Sequence, residues 1–354
     1  MTRFSYMHLP AYPLDESIEM IRLADELGYY AAYAVDETWW KDMWILFAAA
    51  AGKTKQIRFG PNVTHVIMRD PAHVVQMLAT LDDLTGGRAE CVVSFGNQSL
   101  LPQHGIDITG MKPLSRVMEA QTVMRSLFDT GAVTHEGEFF KYQGLWTLAR
   151  PKQERMPIKL GAMGGPRSFR VGGELFDGVH QAIGCSRETY EYMMEHVKAG
   201  AEKAGRDWQE LDLGAWIVVA CGEDSAAAKE TARIMVAFYL ASMPEQQLQR
   251  HGLSGEAIKP ILDAFAAGDV AGALDLTTAE IGEMLSVAGT PEECLEKLQR
   301  DILSTGINHV IAAIVDPYLV KAFTGREIAN CPDTPGQLRM LAERVIPRLD
   351  AVPA

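Results

Sequence analysis

The sequence predicts a (β/α)8 barrel of the TIM type with a helical insertion before the last strand. Short apolar runs alternate with helix-like periodicity from the first residues, and eight strand-like runs can be counted. Residues 244–282 are mainly helical and contain no strand-like run. Eight βα units favour a barrel over an open doubly wound sheet. Because no Pro/Ser-rich linker divides the chain, residues 1–354 are expected to form one domain, with 244–282 as the insertion.

The predicted elements follow one another in a regular order. The strands are expected at residues 4–8, 30–35, 57–68, 89–94, 158–161, 178–182, 213–221 and 309–315. Helices are expected at 14–27, 43–51, 72–84, 115–128, 168–174, 187–204, 225–240, 290–303 and 335–349. Gly28 ends the first helix as a C′ glycine, and Thr290 begins a later one as N-cap with Pro291 at N1. Residues 131–145 alternate like a hairpin.

The third strand is interrupted in its middle. Gly60, Pro61 and Asn62 break an apolar run that then resumes and meets a new helix at Asp70. Proline lacks an N–H and glycine tolerates positive φ, so a bulge or a break is expected there. Our hypothesis is that this distorted strand end holds a ligand.

The composition limits the classes of binding partner that can be expected. The 354 residues carry a net charge of −13, from 33 Lys and Arg against 46 Asp and Glu, which makes nucleic acid a poor partner. Five scattered cysteines without a CxxC pair are typical of reduced thiols in a cytosolic protein. No apolar stretch approaches the roughly 20 residues of a membrane helix. We expect a cytoplasmic protein with a small-molecule substrate and no membrane partner.

In such a barrel the functional site lies at the C-terminal ends of the strands. His8, His65 and His180 fall there and could be catalytic, metal-binding or structural. No HxH or HExxH occurs and strand-end carboxylates are few, so no metal centre is expected. Asp36 and Glu37 could form an acid/base pair, although capping of the next turn is an equal alternative for Asp36.

Two other strand ends suit a planar ring and a phosphate. Trp39, Trp40 and Trp44 could form the wall of a ring pocket, with core packing as the alternative. Residues 161–167, GAMGGPR, end a strand and open a helix; they suit a phosphate or are a plain turn. Neither a Rossmann GxGxxG nor a P-loop is present.

Six blocks together carry a family resemblance. They are GPNVTH at 60–65, RDPA at 69–72, ATLDDLTGGRA at 79–89, SFGN at 94–97, GAMGGP at 161–166 and VAGTPE at 287–292. On these blocks the chain resembles the bacterial luciferase-like monooxygenase superfamily and, within it, the coenzyme F420-dependent branch that includes methylenetetrahydromethanopterin reductase. The TLDDLTGGR run is the most specific block.

The resemblance implies a usually dimeric TIM barrel with an insertion before its last strand. It also implies a non-prolyl cis peptide at Asn62–Val63 behind the deazaflavin ring of F420. The cofactor is expected to contact Asp36, Asn62, Val63, Thr64, Ser94, Gly96, Ala162, Met163, Gly164, Gly165 and Arg167. Trp39, Trp40, Trp44 and His180 are expected to contact the substrate.

Two residues depart from the family pattern. Relatives often follow the strand-two Asp with His, where this chain has Glu37, and they often place an acidic proton donor where it has Asn97. An amide can orient a carbonyl but cannot give up a proton as a stable anion. The catalytic candidates are therefore His8, Glu37, His65 and Asn97.

Three functions follow from the resemblance. The first is a homodimeric F420-dependent oxidoreductase that transfers a hydride between deazaflavin C5 and a small organic substrate. The alternative is an FMN-dependent monooxygenase of the same superfamily. The third is a barrel that binds cofactor without catalysis, which only Asn97 supports. The sequence does not identify the substrate.

Overall fold

Eight parallel strands form a closed barrel in the computed structural model, which describes residues 1–350. Neighbours around the barrel are β1, β2, β3, β4, β7, β8, β9 and β11, and β11 pairs with β1 to close it. The (β/α)8 prediction is confirmed. The strands are β1 Arg3–His8, β2 Ala31–Ala34, β3 Arg58–His65, β4 Cys91–Ser94, β5 Ala132–Glu136, β6 Lys141–Trp146, β7 Ile158–Ala162, β8 Gly178–Ala182, β9 Asp212–Cys221, β10 Ser286–Gly289 and β11 His309–Ile314.

Helices surround the barrel. They are α1 Leu14–Glu26, α2 Met43–Ala51, α3 Pro71–Thr85, α4 Pro113–Thr130, α5 Pro166–Leu175, α6 Arg187–Lys203, α7 Ser225–Leu240, α8 Glu245–Arg250, α9 Gly255–Ala266, α10 Val270–Leu276, α11 Ala279–Leu285, α12 Pro291–Lys297, α13 Pro317–Thr324 and α14 Thr334–Arg344. Thr290 is the N-cap of α12, as its sequence predicts, and the structure adds a full capping box with Glu293. None of the helices within residues 1–350 combines the length and the apolarity of a membrane span.

Two excursions leave the barrel. Strands β5 and β6 pair as an antiparallel hairpin, which confirms the alternation seen at residues 131–145. The helical insertion contains α8, α9, α10 and the first part of α11.

The structure adds β10 and α13, which were not predicted. Strand β10 pairs with β9 at residues 218–221, beyond the last β8 partner of β9 at Trp216. The long strand β9 thus leaves a free edge that a four-residue run can occupy. Helix α13 begins at Pro317 with Asp316 as its N-cap.

Strand β3 has the irregularity that its sequence predicts. The Asn62–Val63 peptide is cis, and the pairing register with β4 shifts between Asn62 and Thr64. The strand ends at His65, three residues earlier than expected, because the chain turns before Asp70 begins capping α3. The predicted cis peptide is confirmed.

A charged layer lies inside the barrel, beneath the strand ends. Lys159 of β7 is 2% exposed, and its Nζ lies 2.8 Å from Glu90 Oε1 and 2.5 Å from Asp212 Oδ2. Burial opposes the ionised form of Glu90, but Lys159 and Arg58 outweigh burial and lower the pKa of Glu90 to about 2. The charges in the barrel interior therefore compensate one another.

Candidate functional site

A cavity of about 320 Å³ opens at the C-terminal ends of β2 and β3. We call it the mouth cavity. It is lined by Asp36, Glu37, Thr38, Lys41, Asp42, Met43, His65, Met68, Arg69 and His104. Three residues expected from sequence (Asp36, Glu37 and His65) come together here, where the barrel fold places active sites.

Asp36 is buried at the cavity wall and fully engaged. Its carboxylate accepts two hydrogen bonds from the Arg69 guanidinium, at 2.6 and 2.7 Å. Thr64 Oγ1 donates a third at 2.8 Å and Trp44 Nε1 a fourth at 3.2 Å. This bidentate ion pair ties the end of β2 to the segment after β3. Arg69, which sequence reasoning did not assign to the site, could have been found from its place beside the GPNVTH block.

Glu37 is held by the strand-four amide. Asn97 Nδ2 donates to Glu37 Oε1 at 3.1 Å, and Trp40 Nε1 donates to Oε2 at 3.2 Å. Burial raises the pKa of Glu37, the two hydrogen bonds oppose this, and the nearby Asp36 charge raises it further. The two residues that depart from the family pattern are thus in direct contact.

The three candidate histidines occupy different environments. His65 lines the mouth cavity with its Nδ1 buried and without a hydrogen-bond partner, and burial lowers its pKa. His8 shares a face of β1 with Tyr6, whose hydroxyl bonds both His8 Nδ1 at 2.7 Å and Met20 of α1. His8 therefore points toward the helices, where burial lowers its pKa to about 3.

His180, expected to contact substrate, lies elsewhere. It is 1% exposed inside the barrel and bonds Asp212 and Asn62 rather than lining the mouth cavity. Contact of His180 with substrate stays a prediction; the sequence did not reveal that its side chain faces the charged layer, because residue number along a strand does not say which of two opposite faces a side chain takes.

The tryptophans do not form one continuous wall. Trp40 and Trp44 donate to the carboxylates of Glu37 and Asp36, whereas Trp39 is 47% exposed and donates to Gln103. Two of the three indoles therefore contact the acidic pair Asp36 and Glu37, and the third does not.

Another aromatic pair was missed. Trp216 of β9 is buried with its Nε1 unpartnered, and its ring centroid lies 4.6 Å from that of Tyr239 in α7. Burial and, after it, the charge of Glu37 raise the pKa of Tyr239. Trp216 gave no sequence signal because it stands inside a uniformly apolar strand.

Close packing at the ends of β3, β4 and β7 leaves room for no extra atoms. A Cβ on Gly161 would lie 2.3 Å from Val63 Cγ1 and 3.4 Å from Ser94 Cβ. Gly96, with φ of +126°, lies against His65 in the same way. Because Gly161 and Gly96 lack a Cβ, the Val63 and His65 side chains pack directly against their backbones.

The turn after β7 presents a helix N-terminus. Gly165 is the N-cap of the ten-residue helix α5, and its cap position has no side-chain acceptor. Gly164 has φ of +89°, and its carbonyl accepts from Arg250 Nη2 at 2.6 Å. Arg167 is exposed in the first turn of α5, while Ala162 and Met163 lead into the turn. Free amides with two nearby cations suit a phosphate group.

The donors and surfaces fit a deazaflavin nucleotide. The unpartnered His65 Nδ1 and Trp216 Nε1 are buried polar atoms that a ligand could satisfy. The uncapped start of α5 fits its phosphate. Residues 1–350 also contain a His180, Asp212 and His309 cluster with metal-ligand geometry, discussed below.

The chain is similar in sequence and fold to known proteins. A profile of the luciferase-like monooxygenase family matches residues 1–309. The 5,10-methylenetetrahydromethanopterin reductase of Methanolobus tindarius is 30% identical over 331 residues, which cover 92% of this chain and 99% of that protein. The enzyme of the same name from Archaeoglobus fulgidus is 29% identical over 352 residues, covering 98% and 99%. The structure of the coenzyme F420-dependent tetrahydromethanopterin reductase from Methanopyrus kandleri superposes with a TM-score of 0.88 at 24% identity, covering 99% of both chains. The chain belongs to the luciferase-like monooxygenase family.

Proposed function

We propose that this protein is a coenzyme F420-dependent oxidoreductase that transfers a hydride between the deazaflavin C5 and a small organic substrate. Its curated relatives include the F420-dependent glucose-6-phosphate dehydrogenase of Gordonia bronchialis, 27% identical over 75% of this chain, besides the reductases. The observation that carries the proposal is the turn after β7, where the free amides of α5 follow the contact between Val63 and Gly161.

The cofactor would lie between these two features. Val63, Ser94 and Gly161 would back its ring, with Asn62 and Gly96 supporting the backbone on either side. Residues 162–165, with Arg167, would hold the phosphate. Asp36 and Thr64 would set the wall near the ring edge, where the hydrogen bonds from Arg69 and Thr64 orient the Asp36 carboxylate. When bound, F420 supplies or accepts the hydride.

Glu37 is the acid/base group in this proposal. A carboxyl whose pKa is raised by burial holds its proton closer to neutral pH, which suits general acid catalysis. His65 has a lowered pKa and is therefore neutral near pH 7, so it can orient a substrate but is a poor proton store. His8 is not among the residues that line the mouth cavity. Asn97 fixes the Glu37 carboxyl through its amide N–H and takes no proton itself.

In this proposal the acidic function lies at the end of β2 and not at the end of β4, with β3 between the two strands. Relatives often carry the proton donor after strand four; here the strand-four residue is Asn97 and the carboxyl comes from Glu37, 3.1 Å away. Trp40 holds the other carboxyl oxygen, and the ring of Trp40 packs edge-on against Phe323. Both changes together preserve one carboxyl at the mouth cavity.

Cofactor choice is tested by titrating the purified protein with F420 and with FMN while following fluorescence quenching. We expect saturable F420 binding and weak FMN binding. Tight FMN binding without F420 binding would instead favour the monooxygenase. Binding of F420 with no reduction or oxidation across a panel of alcohols, aldehydes and imines would favour the non-catalytic barrel.

The role of Glu37 is tested with Glu37→Gln in the same assay. We expect F420 affinity to be retained and turnover of the active substrate to fall by about 10²–10⁴-fold, the usual worth of a general acid. Asp42→Asn is the matched control: it lines the same cavity, is 43% exposed, and keeps an N-cap side chain for α2. Equal turnover for the two variants would remove Glu37 from the mechanism.

The proposal includes a cytoplasmic homodimer. The cytoplasmic location rests on the composition, and the homodimer rests on the family resemblance. Size-exclusion chromatography with light scattering tests the dimer.

A further inference from the structure

We propose that His180 is a positioning residue that orients Asn62, and through it the Val63 surface, from beneath the barrel mouth. This inference rests on the proposed F420 site. It assigns to His180 a task inside the barrel in place of contact with substrate.

A hydrogen-bonded chain runs from the charged layer to the strand end. Asp212 Oδ1 lies 3.3 Å from His180 Nε2, and His180 Nδ1 lies 3.3 Å from Asn62 Nδ2. Asp212 is anchored in turn, because the Lys159 ammonium and Arg3 both lie at its Oδ2. All three chain members (Asn62, His180 and Asp212) are buried.

The partners fix the protonation of the ring. A carboxylate only accepts hydrogen bonds, so His180 carries its proton on Nε2. Its Nδ1 then has a free lone pair and accepts from the Asn62 amide. Burial lowers the pKa of His180 to about 4, which keeps the ring neutral and Nδ1 an acceptor at ordinary pH. The Asn62 side chain therefore has one preferred orientation.

Asn62 connects directly to the surface of the site. The next residue, Val63, is the one whose Cγ1 would lie 2.3 Å from a Cβ on Gly161. The Val63 carbonyl also accepts from the backbone N–H of Asp36 at 3.3 Å. A side chain that fixes Asn62 thus fixes the place of Val63 between β2 and β7.

His309 provides an internal comparison. It also bonds Asp212 Oδ1, through Nδ1 at 2.8 Å, but its Nε2 bonds Ser5 Oγ at 2.6 Å on β1. Its chain ends there, without contact to Asn62. Two buried histidines share one carboxylate, and only one of them leads to the site.

A metal ion is a poor occupant of this cluster. His180, Asp212 and His309 bring their ligand atoms within 4.8 Å of one another. The Lys159 ammonium, however, lies 2.5 Å from Asp212 Oδ2 and supplies the positive charge that an ion would bring. The histidines are bonded to Asp212 itself, which satisfies the same atoms.

Substitution of a histidine by Asn or Gln keeps the hydrogen bond of one ring nitrogen and removes that of the other. The terminal atoms of Gln lie as many bonds from Cα as Nε2 of His, and those of Asn as many as Nδ1. His180→Gln keeps the bond to Asp212 and loses Asn62, whereas His180→Asn keeps the Asn62 bond. His309→Asn is the matched control: it keeps Asp212 and loses Ser5.

The readouts are F420 affinity by fluorescence quenching and thermal unfolding of the cofactor-free protein. We expect His180→Gln to weaken F420 binding by about tenfold, the effect of one lost buried hydrogen bond, and His180→Asn to restore most of it. His309→Asn should bind F420 like the wild type although it loses thermal stability to a similar degree.

Three outcomes overturn the inference. One is unchanged F420 affinity in His180→Gln; another is equal weakening in His309→Asn, which would mean a general structural effect; the third is no rescue by His180→Asn. Failure of the wild-type protein to bind F420 would refute the proposed function instead, so the two failures are distinguishable.

Discussion

Removal of the buried ammonium in the barrel interior is the sharpest test of the fold energetics. Lys159→Met keeps most of the volume of the side chain but leaves Glu90 and Asp212 without their shared cation. Lys159 Nζ also donates to Tyr33 Oη at 3.1 Å, so three polar partners lose their donor. Breaking one side of a buried ion pair costs about 3–5 kcal/mol.

The structure places the expected loss at the lower end of that range. Glu90 keeps Arg58, at 2.9 Å, and Asp212 keeps Arg3, at 3.0 Å. We therefore expect a loss of about 3 kcal/mol in the free energy of unfolding. With about 2.1 cal/mol/K of unfolding entropy per residue, this corresponds to a decrease of about 4 °C in Tm.

Differential scanning calorimetry measures this shift. Lys152→Met is the control, because Lys152 pairs with Asp83 at 3.1 Å on the surface, 54% exposed, and its loss is expected to cost less than about 1 kcal/mol. Adding Glu90→Gln to Lys159→Met should recover part of the stability, since it removes one uncompensated charge. A Lys159→Met protein as stable as the Lys152→Met protein would refute the argument that the interior charges are mutually compensated.

Three further predictions concern the site and its surroundings. Gly161→Ala should abolish measurable F420 quenching, because its Cβ would lie 2.3 Å from Val63 Cγ1 and displace that side chain; Gly52→Ala, whose Cβ would meet nothing within 4 Å, is the control, and equal affinities would contradict the assignment of Val63 and Gly161 to the cofactor site. Asp36→Asn should lower the urea-unfolding free energy by about 2 kcal/mol, since it weakens charged hydrogen bonds, and an unchanged midpoint would speak against the ion pair. The pKa of His8 falls from 6.5 to about 3 on folding, so the unfolded chain binds the proton more readily, and stability decreases as pH falls below 6.5. Between about pH 6.5 and about pH 5 this amounts to about 2 kcal/mol, and His8→Phe should flatten that part of the stability profile relative to wild type.

The sequence alone determined the architecture. Parallel strands are buried on both faces and therefore appear as short apolar runs, which alternate with segments of helical periodicity. Each of these patterns lies within a short stretch of sequence, so the units can be counted. Caps such as Thr290 with Pro291 are equally local. The GPNVTH block located the irregular strand, because glycine and proline act on their own backbone. The short strand β10 was not predicted, because it forms only where the free edge of β9 is available for pairing.

Only the tertiary structure decided the chemistry of individual side chains. Glu37 and Asn97 are 60 residues apart, and nothing local indicates that they share a hydrogen bond that holds a carboxyl at the mouth cavity. His8 and His180 both stand near strand ends, yet one packs toward the helices and the other is bonded inside the barrel. A side chain's role depends on the face it takes and the partners it meets there. Those partners come from distant strands, because the closed barrel brings strand ends together whatever their separation in the chain.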